Sequence, residues 1–468
     1  MKSLLITALF SVASLSLAAA QEAPSMPGDA FWERFGTPAQ LKRLPELKAL
    51  LAAPTAPEWR TAAMQRIREC RMNEVRLEVV DALGQPLPKA QVRLRQVSSD
   101  FRFGGIINDE HWFGKEKVDS AAYRDLFLKF FNAAGFENGL KIKSLDEAPR
   151  TRQIMDWLLA SKLPVRGHAL IWPGFKKLPA EIVALQDRPA ELRAACDKMI
   201  VELCKTWPEV EEWDVINEPR QNRDLVRILG AGEERRWLDL ARQQTRPGCK
   251  LYINDYQMIS GNIPAYKDFY EKMGRELIAA GAPLDGLGFQ SRFRIHLPPQ
   301  EVWANLQRFA ALGLPMKATE FEVSDAVEVE KGRLFSDEER ARISEEVLIN
   351  YFSCAKVEGI YCWTFFRKGH GLKMKNGAPN WGYRSFLVDR DGSLGLNALV
   401  WLYYTQHLWR SQCAVPGDSA GRAAARLFRG GYEVEITSQG QSWKGSFELR
   451  KDSALRLVCD QGKIMVQP

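Results

Sequence analysis

The chain has 468 residues, of which 46% are hydrophobic and 26% are charged, and its formal net charge at pH 7 is +7. This ordinary globular composition excludes a disordered chain, a collagen-like repeat and a long coiled coil. Basic and acidic residues are interspersed without long runs of one sign, so the charge pattern predicts no nucleic-acid partner.

The first twenty residues form a segment of distinct composition. Lys2 precedes an apolar run that begins at Leu4, and the segment ends in three alanines at positions 18–20. A basic start, a short apolar run and a small-residue end are typical of a secretory signal peptide. No later stretch approaches the roughly 18 uninterrupted apolar residues of a membrane span. We therefore expect residues 1–20 to be a signal peptide, the protein to be secreted or periplasmic, and the chain to have no membrane span.

Two short segments follow the signal peptide. Residues 21–72 contain leucines at helical spacing and predict an N-terminal helical extension. Over residues 73–100 the period changes to two, with a turn at Gly84-Gln85-Pro86. The alternating apolar positions are Val75, Leu77, Val79, Val92 and Leu94. This pattern predicts a β-hairpin, which needs a packing partner because an isolated hairpin is marginally stable at best.

Residues 101–410 repeat one pattern, a short apolar strand followed by a loop and a helix. Eight strands are predicted at 103–108, 134–138, 165–172, 213–218, 251–255, 284–290, 316–320 and 359–363. Helices are predicted at 121–131, 149–161, 189–205, 233–243, 264–280, 300–312, 337–357 and 394–409. Eight such units in succession predict an α/β protein whose main domain is a (β/α)8 TIM barrel.

A barrel of this kind carries its chemistry at the carboxyl ends of its strands. The sequence places polar residues at or near six of the predicted strand ends: Glu137, His168, Glu218, Asn254, Gln290 and Glu320. A functional site at this end of the barrel is therefore expected.

Residues 411–468 return to alternating apolar and polar residues around glycine-containing turns, which predicts a C-terminal β element. Its apolar face requires a partner. We expect it to pack with the 73–100 segment in one module formed by both ends of the chain, with two separate β appendages as the alternative. Either arrangement would brace the barrel or bind polysaccharide.

Two of the strand-end residues, Glu218 and Glu320, end the fourth and seventh predicted strands and can converge across the mouth of a barrel. Hydrolysis of a glycosidic bond uses two carboxyl groups, one that donates a proton and one that attacks the sugar or activates water. Asn217 precedes Glu218 and is placed to bind a sugar hydroxyl. The alternative interpretation is that both glutamates are ordinary solvated carboxylates at strand ends.

Six short motifs occur in a characteristic order: FENGLK at 136–141, RGHALIW at 166–172, WDVINEP at 213–219, NDY at 254–256, GLGFQ at 286–290, and TE at 319–320. On these motifs, residues 101–409 resemble glycoside hydrolase family 10, the endo-β-1,4-xylanase family. The resemblance implies a retaining hydrolase in which Glu218 is the general acid/base and Glu320 is the nucleophile, with their carboxyl groups about 5–5.5 Å apart.

The resemblance also implies which residues bind the substrate. Lys141, His168, Asn217 and Gln290 would hold the sugar on the glycone side, and Glu137 and Asn138 would reach the next sugar. Tyr256 and Trp363 would offer aromatic faces to the sugar rings. Trp172, at a predicted strand end, is a further candidate for stacking on a sugar.

The chain departs from the family pattern after the sixth strand, where Gln290-Ser291-Arg292 puts an arginine in the place of the usual histidine. Arg292 is therefore expected either to pair with Glu320 or to bind an acidic group of the substrate. Together with Arg367 and Lys368 in the eighth loop, it suggests the hypothesis of a glucuronic-acid-decorated xylan as substrate. Glu322 is expected either to support Glu320 from behind or to be a loop carboxylate.

The sequence thus predicts an exported hydrolase that cleaves internal β-1,4 linkages of xylan or decorated xylan. The alternatives are the same mechanism on another β-glycan or a small β-glycoside, and a carbohydrate-binding barrel without catalysis. We expect no cofactor, no catalytic metal, no nucleic-acid partner and a monomer. The eight cysteines have no metal-ligand spacing and leave free thiols and disulfides equally open.

Overall fold

The structure is a computed structural model that describes residues 25–53, 56–325, 331–369, 371–373, 377 and 380–468. The signal peptide predicted over residues 1–20 lies outside them. The described chain divides into two compact units. The first, called here the barrel unit, contains Met26–Cys70 and Phe101–Leu408, and the second, the sheet unit, contains Arg71–Asp100 and Trp409–Pro468.

Seventeen strands occur in the described residues and are numbered here in chain order. They are β1 Met72–Asp81, β2 Gln91–Gln96, β3 Arg102–Ile107, β4 Ala133–Phe136, β5 Val165–Ile171, β6 Glu212–Asn217, β7 Lys250–Asp255, β8 Gly286–Phe289, β9 Arg292–Phe293, β10 Met316–Val323, β11 Val357–Cys362, β12 Gln412–Pro416, β13 Arg422–Phe428, β14 Gly430–Ser438, β15 Gln441–Leu449, β16 Ser453–Asp460 and β17 Lys463–Gln467.

Eight parallel strands of the barrel unit close into a barrel. Their order around it is β3, β4, β5, β6, β7, β8, β10 and β11, and β11 pairs back with β3. The two-residue strand β9 pairs with the end of β10. The barrel strands are buried almost throughout, as seven successive buried residues in β5 illustrate. This closed parallel sheet confirms the predicted (β/α)8 barrel.

The helices predicted for the barrel region lie close to their predicted positions, and short helices that were not predicted occur at 109–112, 180–183 and 224–229. The bounds of the described α-helices are Asp29–Trp32, Leu44–Ala52, Pro57–Arg71, Asp109–Trp112, Ser120–Phe130, Ala148–Ala160, Ala180–Val183, Pro189–Thr206, Asp224–Leu229, Glu233–Gln244, Pro264–Ala279, Pro299–Ala310, Asp337–Ser353 and Leu396–Leu402. The predicted helix 394–409 is α-helical only in its first part and continues as a π-helix over Tyr403–Leu408.

Local sequence signals explain where several helices begin. Ser336 and Glu339 form a capping box at the start of Asp337–Ser353, each side chain bonding the other residue's backbone N–H. Asp119 caps Ser120–Phe130 by accepting from the N–H groups of Ala121 and Ala122. Such caps satisfy backbone donors that the first helical turn leaves without partners.

A glycine beside the site allows close packing inside the barrel. A Cβ atom on Gly167 would lie 2.3 Å from the Trp213 ring, so no larger residue fits between β5 and β6 here. The glycine thus lets Trp213 cover β5 directly before His168.

The sheet unit is one eight-stranded sheet in the order β12, β2, β14, β15, β17, β16, β1 and β13. The predicted hairpin over 73–100 is wrong, because β1 and β2 are not neighbours in this sheet. Strand β1 pairs with β13 and β16, and β2 pairs with β12 and β14. These pairings place the alternating apolar residues of β1 and β2 in one core with those of the C-terminal strands. Burial of that shared face outweighs the local turn.

All eight cysteines lie among the described residues, and each is a free thiol. None of the helices described above combines the length and the apolar character that crossing a bilayer requires.

Candidate active site

The predicted site residues lie at the carboxyl ends of the barrel strands. Asn217 and Asp255 are the last residues of β6 and β7, Glu218 and Gln290 follow β6 and β8 directly, and Glu320 lies in β10. Because all barrel strands are parallel, these ends form one mouth.

Glu320 is buried and receives most of its contacts from charged or amide side chains. Its Oε2 accepts hydrogen bonds from Nε and Nη2 of Arg292 at 3.0 and 2.6 Å. Its Oε1 lies 3.5 Å from Nδ2 of Asn254 and 4.0 Å from Nε2 of His168. Oε2 is therefore bound by a cation, whereas Oε1 has only the longer contacts to Asn254 and His168.

Arg292 is held in place from its other side. Its Nη1 donates to Oε1 of Glu322 at 2.9 Å, and Oε2 of Glu322 accepts from the hydroxyls of Thr364 and Ser385 at 2.8 and 2.9 Å. Burial alone would lower the pKa of Arg292, but the two carboxylates outweigh it and raise that pKa. Glu322 thus lies in β10 and supports Glu320 through Arg292, and it is not a loop carboxylate.

Glu218 has neutral hydrogen-bond donors and is half-buried. Its Oε1 accepts from Nε2 of Gln290 at 2.8 Å, and its Oε2 accepts from Nε1 of Trp172 at 3.2 Å and from Nδ2 of Asn222 at 3.4 Å. Its backbone has a φ of 53°, a conformation that costs a non-glycine residue on the order of 1 kcal/mol. The hydrogen bond from its N–H to the carbonyl of Asn254, at 2.7 Å, stabilises this turn.

Asn254 connects the two glutamates. While its carbonyl binds the backbone of Glu218, its side-chain Nδ2 approaches Glu320 and donates to Oδ1 of Asn217 at 2.9 Å. Its Oδ1 accepts from the hydroxyl of Thr319 at 2.8 Å. Nδ2 of Asn217 is buried without a protein partner, so it is a donor available to a ligand.

His168 is oriented by a chain of buried charges that sequence reasoning did not assign to the site. Its Nδ1 lies 2.9 Å from Oδ2 of Asp214, and Oδ1 of Asp214 accepts a hydrogen bond from Arg166. Arg166 donates to Glu212 at 2.9 Å, and Glu212 also binds Lys317. Burial outweighs this pairing in lowering the pKa of Lys317. The sequence does contain a signal for these buried charges, because charged residues occur at positions 166, 212, 214 and 317 within otherwise apolar strands.

The residues expected at the second sugar are bound by lysines. Oε2 of Glu137 accepts from Nδ2 of Asn108 at 2.8 Å and from Nζ of Lys368 at 2.5 Å. Burial would raise the pKa of Glu137, but Lys368 and Asn108 outweigh it and lower that pKa. Nζ of Lys141 donates to Oδ1 of Asn138 at 3.1 Å, and burial lowers the pKa of Lys141.

The three candidate aromatic residues each contact cations. Nζ of Lys141 and of Lys177 lie 5.5 and 4.2 Å from the Trp172 ring centroid. The guanidinium of Arg292 lies 4.3 Å from the Trp363 ring. The Trp363 ring is also 6.4 Å from the His168 ring, whereas the Tyr256 ring has Arg220 at 4.8 Å.

Asp255 lies behind this mouth and is completely buried. Its carboxyl accepts from the backbone N–H groups of Tyr256 and Arg220 at 2.8 and 3.1 Å. Burial raises its pKa to about 7, against an ordinary value of 3.8.

The basic residues that suggested an acidic substrate are already in ion pairs. Arg292 binds Glu320 and Glu322, Arg367 binds Asp389 at 2.8 Å, and Lys368 binds Glu137. The geometry therefore offers no free cation among these three for a glucuronic acid group.

The chain is similar in sequence to several known proteins. The family model described as glycosyl hydrolase family 10 matches residues 94–375. Endo-1,4-beta-xylanase 1 of Arabidopsis thaliana is 25% identical over 403 residues, which are 84% of this chain and 40% of that protein. The anti-sigma-I factor RsgI6 of Acetivibrio thermocellus is 25% identical over 399 residues, 83% of this chain and 48% of that protein. The chain thus spans about half the length of these curated relatives.

Solved structures share the fold. Native xylanase 10B from Thermotoga maritima superposes with a TM-score of 0.56 at 21% identity, covering 66% of this chain and 96% of that one. Since the family model covers more than half of the chain, including every candidate residue at the mouth, the chain belongs to glycosyl hydrolase family 10.

Proposed function

We propose that the protein is a retaining glycoside hydrolase that cleaves internal β-1,4 linkages of xylan or decorated xylan. The observation that carries the proposal is the convergence of Glu218 and Glu320 on Asn254, with a charged neighbour for one and neutral donors for the other. Membership of glycosyl hydrolase family 10 and the xylanase names among the relatives support the same reaction.

In the first step, Glu320 attacks the anomeric carbon and Glu218 protonates the departing glycosidic oxygen. Oε1 of Glu320 is the better placed nucleophile, because Arg292 holds Oε2 with two hydrogen bonds. A covalent glycosyl-enzyme results, and the leaving sugar departs with the proton of Glu218.

In the second step, Glu218 takes a proton from water, and the resulting hydroxide displaces Glu320 with net retention of configuration. The free Nδ2 of Asn217 would donate to a hydroxyl of the sugar beside the scissile bond. His168, whose Nδ1–H donates to Asp214, would accept a hydrogen bond at Nε2 from a hydroxyl of the same sugar.

The proposal also covers where the protein acts and its oligomeric state. The leader-like residues 1–20 support export to the periplasm or the medium. A monomer is expected, with polysaccharide as the partner.

Carbohydrate binding without cleavage is the second candidate, and two observations favour it. Arg292 binds the carboxylate that would have to attack, and a relative of similar identity is named an anti-sigma factor rather than a hydrolase.

The test compares the unmodified protein with Glu218→Ala and Glu320→Ala on xylan, glucan and mannan. Xylan should be the preferred substrate, the first product should have the β configuration by NMR, and each variant should lose on the order of 1,000-fold or more in kcat. Azide should rescue both variants on an activated aryl xyloside, giving a β-glycosyl azide with Glu218→Ala and an α-glycosyl azide with Glu320→Ala. Binding of xylan without any product from the unmodified protein would instead establish the second candidate.

A further inference from the structure

We propose that Arg220 binds a carboxylate on the leaving-group side of the substrate, so that the site favours xylan decorated with a uronic acid. This inference rests on the proposed function and deepens it, because it concerns which xylan the mouth cleaves. Arg220 is a cation distinct from Arg292, Arg367 and Lys368, whose charges are already in ion pairs.

The guanidinium of Arg220 has no anionic partner among the described residues. Its Nε and Nη2 are buried without a hydrogen-bond partner, whereas Nη1 is not among the buried nitrogen atoms. The hydrogen bond from this residue to a carboxylate comes from its backbone N–H, which donates to Oδ2 of Asp255 at 3.1 Å. A carboxylate can therefore approach the guanidinium from Nη1 and supply the acceptors that the protein does not.

Two tyrosine rings hold this guanidinium in place. Its Cζ lies 3.3 Å from the ring centroid of Tyr266 and 4.8 Å from that of Tyr256. Tyr256 follows β7 directly, and Tyr266 lies in the helix Pro264–Ala279. Aromatic rings contact the face of a guanidinium and leave the N–H groups in its plane directed outwards. The stacking thus positions Arg220 before a ligand binds, which reduces the entropy cost of binding.

The carboxyl groups near Arg220 leave its positive charge uncompensated. Burial raises the pKa of Asp255 to about 7, although the nearby charge of Arg220 acts to lower it. Below pH 7 Asp255 is therefore mostly neutral, whereas an arginine side chain stays charged. Glu218, the other carboxyl group nearby, must hold a proton when the glycan binds, because it protonates the leaving oxygen. The charge of Arg220 is thus available to an anionic group of the substrate.

Arg220 lies on the leaving-group side because it belongs to the same turn as Glu218. The backbone N–H of Asn222 donates to the carbonyl of Glu218 at 3.2 Å, and its Nδ2 donates to the same carbonyl at 3.0 Å. This turn keeps Arg220 beside the residue that protonates the departing oxygen. The hydroxyls of a xylose ring are neutral, so the anionic group that a xylan brings to this position is the carboxylate of a uronic acid branch.

The experiment compares glucuronoxylan with the same polymer after its carboxylates have been reduced to primary alcohols. The measured quantity is kcat/KM on the acidic polymer divided by kcat/KM on the reduced polymer, at low ionic strength. We expect a ratio of about five or more for the full-length protein, and a fall of about fivefold in Arg220→Gln. Added salt should lower the ratio of the unmodified protein, because ions screen a pair that is partly exposed to solvent.

Two further variants make the result specific to this cation. Arg220→Lys keeps the charge but loses the planar fork of donors, so its ratio should lie between those of the unmodified protein and Arg220→Gln. Arg275→Gln is the matched control, since Arg275 donates to Glu271 at 2.7 Å on an outer helix, and it should leave the ratio unchanged.

A pair of aryl β-xylobiosides tests whether the carboxylate binds on the leaving-group side. Their glycones are identical, and their leaving phenols carry either a carboxylate or the corresponding carboxamide. The intrinsic difference between the two phenols is the same for every variant. The acid-to-amide ratio of kcat/KM in the unmodified protein should therefore exceed that in Arg220→Gln by about threefold or more.

Polymer ratios that agree within about twofold between the unmodified protein and Arg220→Gln would overturn the inference and leave the hydrolase intact. A change on the polymers without a change on the aryl pair would overturn the placement of Arg220 on the leaving-group side. Failure of the unmodified protein to hydrolyse any of these substrates would overturn the proposed function and this inference with it.

Discussion

Glu320 and Glu218 lie at the same mouth but in opposite electrostatic surroundings. Glu320 is bound by the permanently charged Arg292, whose charge is shared with Glu322. Glu218 is bound by the neutral donors Gln290, Trp172 and Asn222. Two chemically identical side chains are thus suited to different tasks, since a nucleophile needs its negative charge compensated while a proton donor must accept and release a proton.

The largest expected effect comes from removing Arg292, the cation that binds Glu320. Arg292→Met deletes two charge-assisted hydrogen bonds to Glu320 and one to Glu322. Two buried carboxylates then lack their shared cation, so kcat should fall roughly 100- to 1,000-fold with a smaller change in KM. Steady-state kinetics on an aryl xylobioside measures both constants. Arg292→Lys is the matched control and should retain part of the activity. A kcat within threefold of the unmodified protein in Arg292→Met would show that charge compensation at Glu320 is unimportant.

The second prediction concerns Asp255, which lies behind the Glu218 side. Its folded pKa of about 7 exceeds its ordinary value of 3.8, so the unfolded chain loses this proton first as the pH rises. Below pH 4 both states are protonated. The free energy of unfolding therefore decreases between about pH 4 and 7, by up to about 4 kcal/mol, and this decrease is complete above pH 7.

Asp255→Asn should abolish that part of the pH dependence. Urea unfolding between pH 4 and 7.5 measures the difference in unfolding free energy between the variant and the unmodified protein, and this difference should change in favour of the variant as pH rises. The exposed Asp156→Asn on an outer helix is the control. A constant difference for Asp255→Asn across this range would contradict the prediction.

The smallest expected effect comes from a neutral donor of the Glu218 side. Trp172→Phe keeps an aromatic ring but removes the N–H that donates to Glu218 at 3.2 Å. Loss of one neutral hydrogen bond should lower kcat by about tenfold at most. If Trp172→Phe were as damaging as Arg292→Met, the contrast between the two sides would not hold.

The barrel was largely predictable because each of its strands has its own local sequence signal. Each is a short apolar run that ends in a polar residue, and the observed bounds of β4, β6 and β7 differ from the predicted ones by no more than two residues. Pairing across long distances was not predictable in the same way. Strand β1 pairs with strands more than 340 positions further along the chain, and the local turn at residues 84–86 suggested a nearer partner.

The candidate site likewise combines residues that local sequence signals predicted with contacts that they did not. The two glutamates were identifiable from motifs and strand ends, whereas their partners depend on which side chains meet once the barrel closes. Lys368 and Glu137 are 231 positions apart, so nothing in the sequence around either residue indicates that the two form an ion pair. The expectation that Arg292 pairs with Glu320 is confirmed by the two hydrogen bonds between them, because the spacing in the QSR segment places the arginine beside β10.

The strand order of the sheet unit has a consequence for biosynthesis. Strand β1 lies between β13 and β16, so during translation neither of these neighbouring strands can pair with it until more than 340 further residues have left the ribosome. The entire barrel sequence emerges in that interval, while the edges of β1 and β2 stay open to wrong partners. Completion of this unit therefore comes only after the whole barrel sequence has been synthesised, and a nascent chain stalled before β13 should be the species most in need of chaperones.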